Sequence, residues 1–133
     1  MTMTMKIQRE VEAKEIAYLV FGTGALGYPW WGGVEWGHEE DGEDFPIEQG
    51  GDLDIAEEDD YIILKHDARD DAEGDMTGKT RLTFAAITAA AAQAIRKGYV
   101  AERDAIYEDL GLCDAAEADA VLQMAVFGEL VYG

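Results

Sequence analysis

The sequence predicts an α+β fold: a small antiparallel sheet of about three strands packed against three to four helices, one N-terminal and the others C-terminal. Three observations carry this. Apolar residues recur with helical period at both ends of the chain, and the middle holds short β-branched and aromatic runs. The length of 133 residues and the 48% hydrophobic content suit one domain, 1–133, with a core of its own.

From Glu12 to Phe21 the residues Ala13, Ile16, Ala17 and Val20 fall at i, i+3, i+4 and i+7, one face of a helix. Glu10, Glu12 and Glu15 suit the positive end of its dipole, and Gly22 is expected to end it in the left-handed conformation. Taken alone, Ile16 to Phe21 also fits a buried strand. The Gly- and aromatic-rich passage that follows, from Gly22 to Gly37, contains Pro29, which no continuing helix accommodates. Trp31 to Trp36 reads as a strand. Asp52 to Ile55, where Leu53 and Ile55 alternate with Asp52 and Asp54, and Tyr61 to His66 read as two more.

The last fifty residues read as helical. Phe84, Ile87, Ala91 and Ile95 form a stripe, with Thr83 placed to cap its start and Arg96 and Lys97 before Gly98 at its end. A shorter helix is expected from Ala101 to Leu110, closed by Gly111. The last begins at Asp114, with Glu117 three positions on as in a capping box, and runs to Phe127 before Gly128. This helix is apolar on most sides, so it must be buried on most sides. In so short a chain that suggests covering by a second copy, and a homo-oligomer is expected.

Ten Lys and Arg against 29 Asp and Glu give a formal charge of −19. The charge is segregated: residues 1–37 hold three basic and four acidic groups, 38–80 hold three and 17, and 81–133 hold four and eight. His38 to Asp44 and Glu57 to Asp60 read as acidic loops or rims. Direct nucleic-acid binding is not expected, because phosphate neutralisation needs clustered Lys and Arg. The single cysteine, Cys113, excludes an intrachain disulfide and an all-cysteine zinc site. No signal-peptide pattern stands at the start, and the most apolar run, Phe84 to Ile95, is about half a bilayer span. A cytoplasmic protein with no membrane association is expected.

Motif-like strings fail on context. Gly22-Thr-Gly-Ala-Leu-Gly27 has the spacing of a dinucleotide fingerprint, but Tyr28-Pro29-Trp30-Trp31 stands where a helix must start. Gly74 to Thr80 has three residues between its glycines where a P-loop has four, and reads as a tight turn. No window fits an EF-hand, and His38, His66 and Cys113 lack short-range zinc spacing. No cofactor, metal or catalytic site is assigned.

Candidate binding residues are Tyr28, Trp30, Trp31 and Trp36, whose rings can stack on a ligand or anchor a partner, or else divide between core and surface by strand alternation. Asp119 and Gln123, four apart on the last helix, form either a solvated strip or a buried polar pair bonded to a neighbouring loop. Phe127 and Tyr132 are candidates for one wall of a pocket.

Four stretches carry a family resemblance: Ala13 to Ile16 leading to Tyr28-Pro-Trp-Trp31, Gly50 to Leu53, Leu82-Thr-Phe84, and above all Ala118 to Gly133. Together they resemble small acidic proteins encoded by bacteriophages. Relatives often carry Tyr-Trp-Cys where this chain has Trp30-Trp31-Gly32, so no cysteine role transfers. The resemblance implies an accessory role in an infected bacterium and no particular chemistry.

Three functions compete. One is a non-enzymatic accessory protein that binds or sequesters a host protein or a small molecule, with the aromatic loop supplying contact area and the acidic rim selecting charge. Another is a DNA-mimic inhibitor, for which Asp52 and Asp54 on a strand would lie ~6.6 Å apart, near the phosphate spacing. The third is a small-substrate enzyme with His66 as base.

Overall fold

The computed structural model describes residues 11–47, 53–66, 78–101 and 103–131. These residues form α1 (Ala13–Phe21), β1 (Trp31–Glu40), β2 (Glu43–Ile47), β3 (Asp60–His66), β4 (Gly78–Thr83), α2 (Phe84–Arg96), α3 (Asp104–Glu108) and α4 (Ala115–Phe127). The strands make one antiparallel sheet in the order β2-β1-β3-β4. The expected α+β architecture is present, with four strands rather than three.

Both extra strands come from passages read as loops or turns. Asp41 and Gly42 take φ of 53° and 81°, the paired left-handed residues of a two-residue hairpin turn whose twist matches the flanking strands. The acidic run from His38 to Asp44 is therefore the end of β1, this turn and the start of β2. Gly78, Lys79 and Thr80 lie in β4, paired with His66, Lys65 and Leu64, not in a turn; Gly74 to Thr77 lie outside the described residues. The strand expected at Asp52 to Ile55 is instead a 3-10 turn, Leu53–Ile55, closed by Ala56 N donating to Leu53 O at 3.3 Å. Tyr18 Oη on α1 donates to Asp54 Oδ1 at 3.2 Å and draws that segment toward the helix.

Period-2 alternation divides the sheet into two faces. Trp36, Ile62 and Leu82 align across β1, β3 and β4, all buried against the helices. On the opposite face Glu35, Ile63 and Arg81 align, and beside them Gly37, Tyr61 and Thr83. The Tyr61 ring lies over Gly37 so closely that a Cβ there would come within 2.4 Å of it. Arg81 stacks on the same ring, its Cζ 3.6 Å from the centroid, and bonds Glu39 at 2.8 Å.

Helix ends follow local chemistry. Thr83 Oγ1 caps α2 by accepting from Ala86 N at 3.1 Å. Asp114 and Glu117 form the expected capping box of α4, and Gly128 ends it at φ 75°. Gly22 departs from expectation: it is right-handed, at φ −102°, and the left-handed residue is Gly24, because the chain continues through a 3-10 turn at Ala25–Gly27 before β1. The helix expected from Ala101 to Leu110 is shortened to Asp104–Glu108. Glu15 Oε1 accepts from Leu110 N at 3.0 Å, and Asp109 caps a separate turn, Leu110–Leu112, that includes Gly111. At Gly111 a Cβ would lie 2.8 Å from Tyr18 Cβ, so the close approach to α1 needs glycine there.

Helix α4 is buried from Glu117 to Met124. Its neighbours α2, α1 and β4 belong to the same chain, so its apolarity by itself makes no demand for a second copy. Among the described residues no helix is long and apolar enough to cross a membrane.

Candidate functional site

The turn between α1 and β1 is fixed to α4 through one carboxylate. Trp30 Nε1 and Trp31 Nε1 both donate to Asp119 Oδ1 at 2.8 Å, and Gln123 Nε2 donates to Asp119 Oδ2 at 2.8 Å. The Gln123 carbonyl oxygen in turn accepts from Val131 N at 2.7 Å, tying in the segment after α4. Asp119 and Gln123 are thus the buried pair bonded to a neighbouring loop, and the solvated-strip reading is excluded.

The tryptophans then separate. Trp31 is buried, stacked parallel to Phe127 at 6.3 Å and edge-on to His66 at 6.5 Å. Trp31 and Trp36 stand five apart, which regular alternation would send to opposite faces. The register slips between Trp31 and Gly33, a bulge that turns Trp31 back to the helix side. Trp36 is buried elsewhere, stacked on Phe21 at 5.2 Å, with Nε1 donating to Asp60 Oδ2 at 2.9 Å. Trp31 and Trp36 are therefore buried in packing, while Phe127, half-buried at the end of α4, packs against Trp31 and His66.

Tyr28 and Trp30 behave differently. Their rings stack at 4.9 Å and 11°, both half-buried, and they form one side of a cleft of about 350 Å³. Tyr99 and Leu130 add apolar surface, and Asp114, Glu117 and Asp119 line it from the first turns of α4. Glu117 is neutralised in place: Arg103 Nη1 and Nη2 donate to its two oxygens at 2.8 Å each, and this holds its carboxyl down at about 2. Asp114 is exposed and Asp119 is buried. The cleft is thus lined by aromatic rings, Tyr28 and Trp30 each turning one face to the other. Beside them are two carboxylates that have no basic partner in an ion pair among the described residues, Asp119 already accepting from Trp30, Trp31 and Gln123.

The histidines occupy contrasting settings. His66 is buried, with Nε2 2.8 Å from Thr80 Oγ1 and its ring edge-on to Phe127 at 5.3 Å. His38 Nδ1 lies 2.9 Å from Asp60 Oδ1 and its Nε2 3.5 Å from Glu57 Oε2. The bond to Asp60, aided by the charge of Glu57, raises its pKa above the usual histidine value. Cys113 is buried, and desolvation, followed by the nearby Glu117 charge, pushes its thiol up to about 12.

Of the sequence candidates, Tyr28, Trp30 and Asp119 come together at the cleft, with Gln123 behind them. Tyr132 lies outside the described residues. Sequence reading missed Tyr99, Leu130 and Asp114 as cleft residues; the capping-box role of Asp114 was legible, but nothing local shows that Tyr28 will face it. Asp54, now in a 3-10 turn, no longer supplies the strand-spaced acid pair of the mimicry argument, and Asp52 is outside the described residues. Among the described residues no group of three or more His, Cys, Asp or Glu side chains is placed to hold a metal ion. Set against known protein families, curated proteins and solved structures, the chain matches none.

Proposed function

We propose that this is a non-enzymatic capture protein, a phage accessory factor, that sequesters a small organic molecule in the cleft between the Tyr28–Trp30 stack and the start of α4. One observation carries the reading: Trp30, stacked on Tyr28, is held by Asp119 at the edge of a cleft of about 350 Å³, a size at the lower end of small-molecule sites. A preformed wall lowers the ordering cost of binding, since the Trp30 indole is already fixed. The phage setting is part of this proposal and rests on the sequence of Ala118 to Gly133 alone.

The test is native mass spectrometry of the protein recovered from a bacterial lysate, run beside Ala116→Trp. Ala116 is exposed and lines the cleft, so a bulky side chain there fills the space without entering the core. A small-mass adduct on the wild type that is lost in a variant of unchanged melting temperature is the expected result. An adduct equally present in both, or none in either, overturns the reading.

A further inference from the structure

Resting on that capture reading, we infer that the cleft takes a cationic ligand, an alkylated ammonium group, seated against the aromatic faces with its charge toward Asp114 and Asp119. Three features converge on this chemistry. Tyr28, Trp30 and Tyr99 are among the residues lining the cleft, and their electron-rich rings can attract a desolvated cation. Trp30 donates its indole N–H to a carboxylate at 2.8 Å, which increases the electron density of the ring and strengthens that attraction. Leu130 supplies an apolar contact suited to methyl groups rather than to a strongly hydrated primary amine.

Charge selects the sign. The dipole of α4 places about half a positive charge near its first turn, but Asp114 at its cap and Asp119 in its second turn are both acidic, Asp119 with three N–H donors on it, while Glu117 is balanced by Arg103. The net local field favours a cation, and the −19 charge of the whole chain raises the cation concentration around it. An anionic ligand would meet both carboxylates, and a neutral one would gain only stacking.

The probes are choline and its neutral carbon isostere, 3,3-dimethylbutan-1-ol, titrated by calorimetry and by tryptophan fluorescence at low ionic strength. Choline is expected to bind saturably and at least tenfold more tightly than the isostere. Asp114→Asn keeps a capping side chain on α4 while removing one charge, and is expected to weaken choline three- to tenfold; Ala116→Trp is expected to abolish binding. Equal binding of choline and isostere overturns the cation assignment and leaves the capture reading standing. Failure of both probes alongside a lysate adduct does the same. Choline binding that survives Ala116→Trp refutes the site.

Discussion

Trp31 and Asp119 stand 88 positions apart in the chain, yet the indole N–H of one donates to the carboxylate of the other at 2.8 Å inside the core. The same oxygen takes the Trp30 N–H, so one side chain on α4 sets the position of the whole turn that opens the cleft. A carboxylate accepting three N–H donors is well compensated for its burial.

Asp119→Ala is expected to destabilise the fold by about 2 to 4 kcal/mol, because it leaves the buried Trp31 and Gln123 donors without this acceptor. Asp119→Asn, which retains one carbonyl oxygen, is expected to cost roughly half as much. Urea unfolding followed by tryptophan fluorescence measures both, and equal midpoints for wild type and Asp119→Ala would contradict the network.

Gly37→Ala is expected to cost about 1 to 3 kcal/mol, since its Cβ would overlap the Tyr61 ring. The ring is also stacked by Arg81, so it has little room to withdraw. Tyr61→Ala in the same background tests the cause: with the ring gone, the Gly37→Ala penalty should shrink toward zero in a double-mutant cycle.

His38 links pH to stability. Its folded pKa is raised above 6.5 by the bond to Asp60 and by Glu57, so the stabilisation is fully present below the unfolded value and is lost as pH rises through the folded one. Unfolding midpoints measured between pH 6 and 9 are expected to fall more for wild type than for His38→Gln. Parallel profiles for the two proteins would show that the His38–Asp60 contact does not titrate with folding.

Glu117 gives the opposite sign at the acid end. Its folded pKa is lowered from 4.5 to about 2, chiefly by Arg103, so its contribution is present above 4.5 and is lost as pH falls through about 2. Arg103 is 39% exposed, which screens the pair and leaves about 1 to 2 kcal/mol at neutral pH. Glu117→Gln is expected to lose that amount at pH 7 and to converge with wild type near pH 2, as read from thermal unfolding at the two pH values.

The sequence by itself determined the elements whose signals lie within about one helical turn: α2 with Thr83 at its start, α4 with its Asp114–Glu117 box and Gly128 stop, and β3. Asp41-Gly42 was also a readable hairpin signal, hidden by the surrounding acids. Tertiary structure alone decided what the tryptophans do. Alternation separates Trp31 from Trp36, and only the pairing of β1 with β3 introduces the bulge that buries both on one side. It likewise decided that Asp119 would serve Trp30 and Trp31, and that Tyr28 and Trp30 would open onto Tyr99 and Asp114. Caps and helical periods arise from neighbours in the chain, whereas register and the meeting of distant side chains arise from how layers pack, which no short window of sequence contains.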